Sequence, residues 1–201
     1  MRAHARLLGA TALLLGAGLL AAVGPTRASD KEALRAKLDK MAAVAAADPK
    51  AAATEAQAFA KGLDEEGFTE VMDLFRKRTK EGKGGWGVGA KPTGMPDDGM
   101  EARIQNLSRK PLGKADLDKL QADLAQMAYR TAVIGEITIA KTPAKKVGEK
   151  DPKDWKEYSQ EMVSSAYNLA KALKAGEPKM IREASGKLNS SCSNCHGKFR
   201  D

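Results

Sequence analysis

The sequence predicts an all-α protein: a bundle of more than four helices with one long glycine-rich loop. Alanine, leucine, lysine and glutamate dominate the chain, and no stretch shows the sustained apolar–polar alternation of a strand. Apolar residues recur instead at the three- and four-residue spacing of helices. Glycine and proline concentrate in one place, since seven glycines and two prolines lie within 82–99.

The segment 1–28 has the pattern of a secretory signal peptide. Arg2 and Arg6 give it a positive start, residues 7–23 are apolar, and Thr26-Arg27-Ala28 is a small-residue cleavage site. An uncleaved anchor helix is the alternative, but the glycine-interrupted apolar run is at the short limit for spanning a bilayer. No cysteine lies near the cleavage site, which argues against a lipid anchor.

Removal of this segment leaves residues 29–201, which we expect to form one helical domain with no stable membrane span. The formal net charge falls from +8 to +5, because the segment carries three arginines and no acid. Such a mildly basic surface suits an acidic partner protein. Lysine and glutamate are mixed along the chain rather than gathered with aromatic residues, which argues against nucleic-acid binding.

Helix ends follow from capping residues. An aspartate followed by proline starts a helix at Asp48-Pro49 and again at Asp151-Pro152, and Gly176 has the position of a C-cap. Pro143 follows the longest helical pattern and ends it. We therefore expect helices over 30–47, 49–75 with a break near 67, 101–107, 116–140, 152–175 and 178–199.

The loop 82–99 contains Trp86 and Met95. Residues 82–87 formally match G-x-G-x-x-G, but a dinucleotide site needs a strand before this motif and a helix after it. Here a helix precedes and further glycines follow. We expect the loop to fold over the bundle with Trp86 as its apolar anchor; covering the edge of a cofactor is the alternative.

Near the C-terminus the chain carries C-x-x-C-H, with Cys192, Cys195 and His196, which is the attachment signal of a c-type haem. Two thiols one helical turn apart can add to the two vinyl groups, and the next residue can reach the iron. On a helix these three positions share one face. A redox disulfide normally opens a helix of a βαβ unit, and zinc needs about four ligands. The chain shows no such unit, and its other histidine, His4, lies in the predicted signal.

The C-terminal fifty residues resemble the class II c-type cytochromes, the cytochrome c prime and cytochrome c-556 group. The likeness rests on Trp155, on the helix pair divided at Ala175-Gly176, and on the ending Cys192-x-x-Cys195-His196-x-x-Phe199-Arg200. Class I cytochromes c carry the motif near the N-terminus with a methionine ligand far downstream. Only five residues follow His196, which rules that arrangement out.

The resemblance implies a four-helix bundle with one covalent haem c per chain, held between helices near one end. Cys192 and Cys195 would form the thioethers and His196 the proximal axial bond to iron. Arg200, one turn further on, would lie beside the proximal imidazole; an exposed cation at the helix C-terminus is the alternative. The likeness weakens before residue 150, which leaves open which four helices form the bundle.

The sixth iron position has two implied states, a methionine from an early helix or an open site in an apolar pocket. Met41 on the first helix and Met127 in the middle of the longest are the candidate ligands. Helical methionines more often fill cores, so we expect an open or weakly ligated iron. An open position would admit nitric oxide or carbon monoxide.

The sequence therefore predicts an exported, periplasmic monohaem cytochrome of electron transport that passes single electrons to a redox partner protein. A small-gas-binding haem protein is the second hypothesis. The third is a helical interaction protein without haem, whose two cysteines form a local disulfide. No histidine–arginine pair of peroxidase type is identifiable, so we expect no enzymatic activity. A homodimer stays open, because members of the resembling family often dimerise through helices.

Overall fold

The computed structural model describes residues 27–79, 84–89, 91–92 and 98–200. The predicted signal segment lies almost wholly outside these residues, as does Met95. The described part of the chain forms seven helices and no strand, which confirms the all-α class. They are α1 (Arg27–Ala45), α2 (Pro49–Ala60), α3 (Glu65–Asp73), α4 (Met100–Arg109), α5 (Lys114–Ala140), α6 (Pro152–Ala175) and α7 (Pro178–Phe199).

The predicted caps form as expected. The Asp48 carboxylate accepts hydrogen bonds from the backbone N–H groups of Lys50 and Ala51, both at 3.0 Å, and starts α2. The Asp151 carboxylate accepts one from Lys153 N at 2.8 Å and starts α6. Gly176 ends α6 in the left-handed conformation, with φ of 69°. These local bonds explain why the two ends of α6 agree with the sequence prediction.

The predicted helix over 49–75 is two helices, and its break lies earlier than Gly67. The Asp64 carboxylate accepts a hydrogen bond from Gly67 N at 2.8 Å, so Gly67 belongs to the first turn of α3. Glu65 and Glu66 add negative charge at that helix N-terminus, which favours a new start there. A third aspartate cap, Asp64, therefore decides the boundary between α2 and α3.

Helix α5 is the centre of the fold. It packs against α6 on one side and against α1 and α2 on the other, while α7 packs against α6 and α4. Residues 127–135 are buried at every position, as expected of a helix covered on all sides. The core thus runs along α5 from end to end of the bundle.

The described part of the glycine-rich loop is pinned to the bundle through Trp86, as predicted. The Trp86 side chain is 5% exposed, and the Arg130 guanidinium lies 4.3 Å from its ring centroid. Arg130 Nε in turn donates to Asp39 at 2.8 Å. The Arg35 guanidinium donates to the carbonyl oxygens of Gly84 and Gly85 at 2.6 and 3.1 Å. Two helices, α1 and α5, therefore hold the loop.

Gly135 lies where α5 and α6 come closest. A Cβ atom on Gly135 would lie 2.7 Å from Val163 Cγ2, whereas one on Gly186 of α7 would meet open space. Because a β-branched side chain on a helix has little rotamer freedom, Gly135→Ala should lower the free energy of unfolding by about 1–3 kcal/mol. The control Gly186→Ala should raise it by about 0.5–1 kcal/mol. Denaturant unfolding measures both, and equal effects would contradict the described α5–α6 contact.

Candidate functional site

Three helix ends meet at one end of the bundle, and Trp155 of α6 joins them. Its indole N–H donates to the carbonyl oxygen of Thr138, near the end of α5, at 2.7 Å. Its ring meets Phe199 of α7 edge-on, with centroids 5.1 Å apart. On the neighbouring surface, Lys198 of α7 forms an ion pair with Asp154 of α6. The C-terminus of α7 is thereby fixed beside the N-terminus of α6.

A cavity of about 440 Å³ opens at this end of the bundle. This volume is in the range of pockets that hold a small ligand or cofactor. Its walls come from α3 and the residues just after it, from α4, α6 and α7, and from Thr138 of α5. They are largely apolar and aromatic: Phe68, Met72, Phe75, Ile104, Trp155, Met162 and Phe199. A planar apolar group of matching size is the kind of ligand that such walls accept.

The motif residues Cys192, Cys195 and His196 all lie on this cavity. Each is half-buried, whereas the intervening Ser193 and Asn194 are exposed. This is the shared helix face that the spacing predicts. The two cysteines are not joined by a disulfide, so both sulfur atoms are available to a ligand in the cavity.

The cavity is a poor environment for charge on sulfur. Burial raises the pKa of the Cys192 thiol to about 12, and the nearby Glu101 carboxylate contributes to the rise. Burial alone raises the pKa of Cys195 to about 11. Both thiols are therefore neutral at physiological pH before any ligand is attached.

Two arginines border the cavity, one of them predicted. Arg200 directly follows α7, where its backbone N–H caps the helix by donating to the His196 carbonyl oxygen at 3.1 Å. Arg76, which follows α3, was missed by the sequence analysis; its Nε atom pairs with Asp73 at 3.0 Å. Both side chains are largely exposed, so they can offer positive charge to acidic groups of a ligand at the cavity mouth.

The predicted methionine candidates do not lie on the cavity. Met127 is fully buried in α5 and Met41 is 1% exposed in α1, both within the core. The methionines that line the cavity are Met72 of α3 and Met162 of α6. The sequence indicated that Met72 lies on an apolar helix face, because Phe68, Met72 and Phe75 have helical spacing. The same spacing is found in a helix face packed in the core and in one that lines a cavity, so it could not identify Met72 as a site residue.

Comparison with known families agrees with the geometry. Residues 108–200 match the family model of Cytochrome C′. This region is similar to the cytochrome c′ family. The predicted resemblance is therefore confirmed, and it extends over all of α5, α6 and α7. No curated protein and no solved structure matched the chain.

The cytochrome c′ family consists of helical-bundle cytochromes that bind haem and are typically exported. The cavity residues fit such a group, since two thiols and an imidazole share one wall while aromatic and aliphatic side chains form the others. None of the described helices combines the length and the apolar character that crossing a membrane requires. The haem-binding character of the C-terminal region thus rests on both family and geometry.

Trp155 should be the main structural support of the site. Trp155→Phe removes the bond to the Thr138 carbonyl but keeps a ring against Phe199, so unfolding should need about 1 kcal/mol less. Trp155→Ala removes both contacts and should lower the free energy of unfolding by about 3 kcal/mol. Tyr158→Phe, on the same cavity wall, is the control and should change it little. Denaturant unfolding checks all three variants. An unchanged free energy of unfolding in Trp155→Ala would contradict the described contacts of Trp155 with Thr138 and Phe199.

Proposed function

We propose that this chain is an exported monohaem c-type cytochrome that transfers one electron at a time to or from a redox partner protein. The observation that carries the proposal is the placement of Cys192, Cys195 and His196 on one wall of an apolar cavity, within a region similar to the cytochrome c′ family. Export agrees with the predicted signal segment 1–28. No enzymatic activity is part of the proposal.

Each residue of the motif has a separate task. The sulfur atoms of Cys192 and Cys195 would hold haem c as thioethers, and the His196 imidazole would provide the proximal bond to iron. The bound iron supplies reversible one-electron chemistry. Phe75 and Ile104 keep water from its neighbourhood, and burial is one of the levers by which a protein sets the potential. Arg200 and Arg76 supply positive charge at the rim.

Covalent attachment is directly testable. Because two thioethers hold the group, denatured holoprotein should keep its haem through acid–acetone extraction. Cys192→Ala and Cys195→Ala should each leave a single thioether and lower the yield of holoprotein. His196→Ala, in which both thiols remain, is the matched control: haem stays attached but the spectrum changes. Colourless denatured protein with haem in the solvent would contradict the assignment of haem c.

A residue for the sixth iron position can be proposed from the layout of the walls. Helices α4 and α6 pack closely on α7, whereas α3 lines the same cavity and is not among the helices packed closely on α7. We take α3 as the wall that would face the iron from the side away from His196. Of the two methionines on the cavity, Met72 belongs to that wall and Met162 lies on α6, beside α7. We accordingly assign Met72 as the sixth ligand, in place of Met41 or Met127.

The ligand assignment predicts a spectrum. Oxidised protein should be low-spin and show the weak red charge-transfer band of a methionine–iron bond. Met72→Leu conserves volume, so it should keep the fold while abolishing the band, lowering the reduction potential and opening the ferrous iron to carbon monoxide. Met162→Leu and Met127→Leu are matched controls that should keep the band.

The same measurement decides for or against the second candidate function. Binding of a small uncharged gas is favoured by the apolar distal wall of Phe68, Phe75 and Ile104. A high-spin ferric spectrum without the band, together with fast carbon monoxide binding by the unchanged protein, would replace the carrier by a gas-binding protein. In that case Met72→Leu should change neither the ferric spectrum nor the rate of carbon monoxide binding.

A further inference from the structure

The connection between α5 and α6, residues 141–151, lies directly outside the cavity. It begins three residues after Thr138 and ends four residues before Trp155, both of which line the cavity. Each end is therefore about one helical turn from the site. Lys141 Nζ donates to the carbonyl oxygen of Leu63, which ties the connection to the turn before α3. This segment therefore lies next to the end of the bundle that carries the site.

Within this connection a tight turn presents an apolar side chain to solvent. Val147 N donates to Lys150 O at 3.1 Å and Lys150 N donates to Val147 O at 3.0 Å, with Gly148 at a φ of 57° between them. The Val147 side chain is 62% exposed, more than that of any other large hydrophobic residue in the described part of the chain. An exposed valine alone needs no explanation. Here an ordered turn keeps the valine exposed among lysines, and an apolar side chain surrounded by charged ones is typical of a protein contact surface.

Positive charge is concentrated around this turn. Residues 141–156 contain six lysines and three acids. This excess of three is more than half of the net charge of +5 that residues 29–201 carry. Two of the acids are already engaged, since Asp151 caps α6 and Asp154 pairs with Lys198. Lys145 and Lys146, next to Val147, are both exposed and can therefore meet a partner.

We infer that this basic turn, Lys145–Lys150 with Val147 at its tip, is the docking surface for an acidic redox protein. The inference rests on the proposed electron transfer and names the site and chemistry of its partner. Exposed lysines steer an acidic partner toward the end of the bundle where the haem is held. Val147 supplies the apolar contact at the centre of the encounter, where binding energy concentrates.

A protein fits this surface better than a bilayer or a nucleic acid. The lysines alternate with Glu149, Asp151 and Asp154, a mixed pattern that a partner with its own charge pattern can match. An anionic membrane attracts unbroken basic clusters or amphipathic helices with an apolar face. The turn offers a single valine. Aromatic side chains, on which nucleic-acid bases stack, are absent from residues 141–151.

The test is the rate at which reduced plant-type ferredoxin, an acidic one-electron donor, reduces the oxidised holoprotein. Lys145→Glu with Lys146→Glu should lower the second-order rate constant about tenfold at low ionic strength and flatten its dependence on salt. The matched control is Lys171→Glu with Lys179→Glu, which makes the same charge change at the far end of α6 and α7. Both control lysines are exposed, and this pair should change the rate constant less than twofold.

A second variant separates contact from charge. Val147→Ser should slow reduction by ferredoxin severalfold but leave the oxidation of reduced protein by ferricyanide unchanged, because a small anion does not need the valine. An equal loss of rate in both double variants would show that only net charge matters and would overturn the inference. So would unchanged rates in the Lys145 and Lys146 variant.

Two further measurements keep the failures apart. If the variant with Lys145→Glu and Lys146→Glu loses binding to phosphatidylglycerol vesicles but keeps its rate of reaction with ferredoxin, the surface serves a membrane and the inference is wrong. The proposed function is tested independently by a spectroelectrochemical titration with an uncharged quinone mediator. Absence of a reversible one-electron step there defeats electron transfer itself, whichever surface is used.

Discussion

The site depends on one junction, the contact of Trp155 with three other helices. The indole hydrogen bond reaches α5, the edge-on contact with Phe199 reaches α7, and Phe68 of α3 lies 6.2 Å away, centroid to centroid. This junction, together with the Lys198–Asp154 ion pair, holds the last turn of α7, so that the motif Cys192–His196 faces the cavity.

The glycine-rich loop contributes to the site indirectly. None of its described residues lines the cavity, yet it joins the end of α3 to the start of α4, which are two of the cavity walls. Trp86 N donates to Leu74 O at 2.7 Å and Arg78 N to Asp98 O at 2.7 Å. The Arg78–Asp98 ion pair, with side chains 7% and 3% exposed, closes the base of the loop. Loss of one member of such a buried pair is strongly destabilising.

Glycine is required at one point of that loop. A Cβ atom on Gly85 would lie 1.7 Å from the carbonyl oxygen of Arg76, so only glycine allows the loop to pass so close to the end of α3. The loop thus supports the cavity wall that α3 provides. The sequence showed Trp86 as an anchor, but not what the anchored loop holds in place.

Local chemistry explains what the sequence could predict. The caps at Asp48 and Asp151 and the shared face of Cys192, Cys195 and His196 depend on neighbours within four residues, which are visible in the sequence. The α3 wall depends on long-range packing, and its spacing does not distinguish a cavity from a core. Met127 was a candidate ligand because it lies in the middle of the apolar stripe of α5. Since residues 127–135 are buried at every position, this stripe does not indicate which face of α5 would meet a cofactor.

The two faces of the cavity come from different parts of the chain. Helices α6 and α7, with Cys192, Cys195 and His196, lie within the region that matches the cytochrome c′ family, whereas α3 and nearly all of α4 lie before residue 108. The proposed attachment and proximal ligation would therefore belong to the matched region, whereas the α3 wall belongs to the segment that precedes it. Substitutions on α3 would alter the cavity while leaving both cysteines and the histidine in place. Such a division would let one attachment region serve an electron carrier or a gas-binding protein, with the choice made by the helices that precede it.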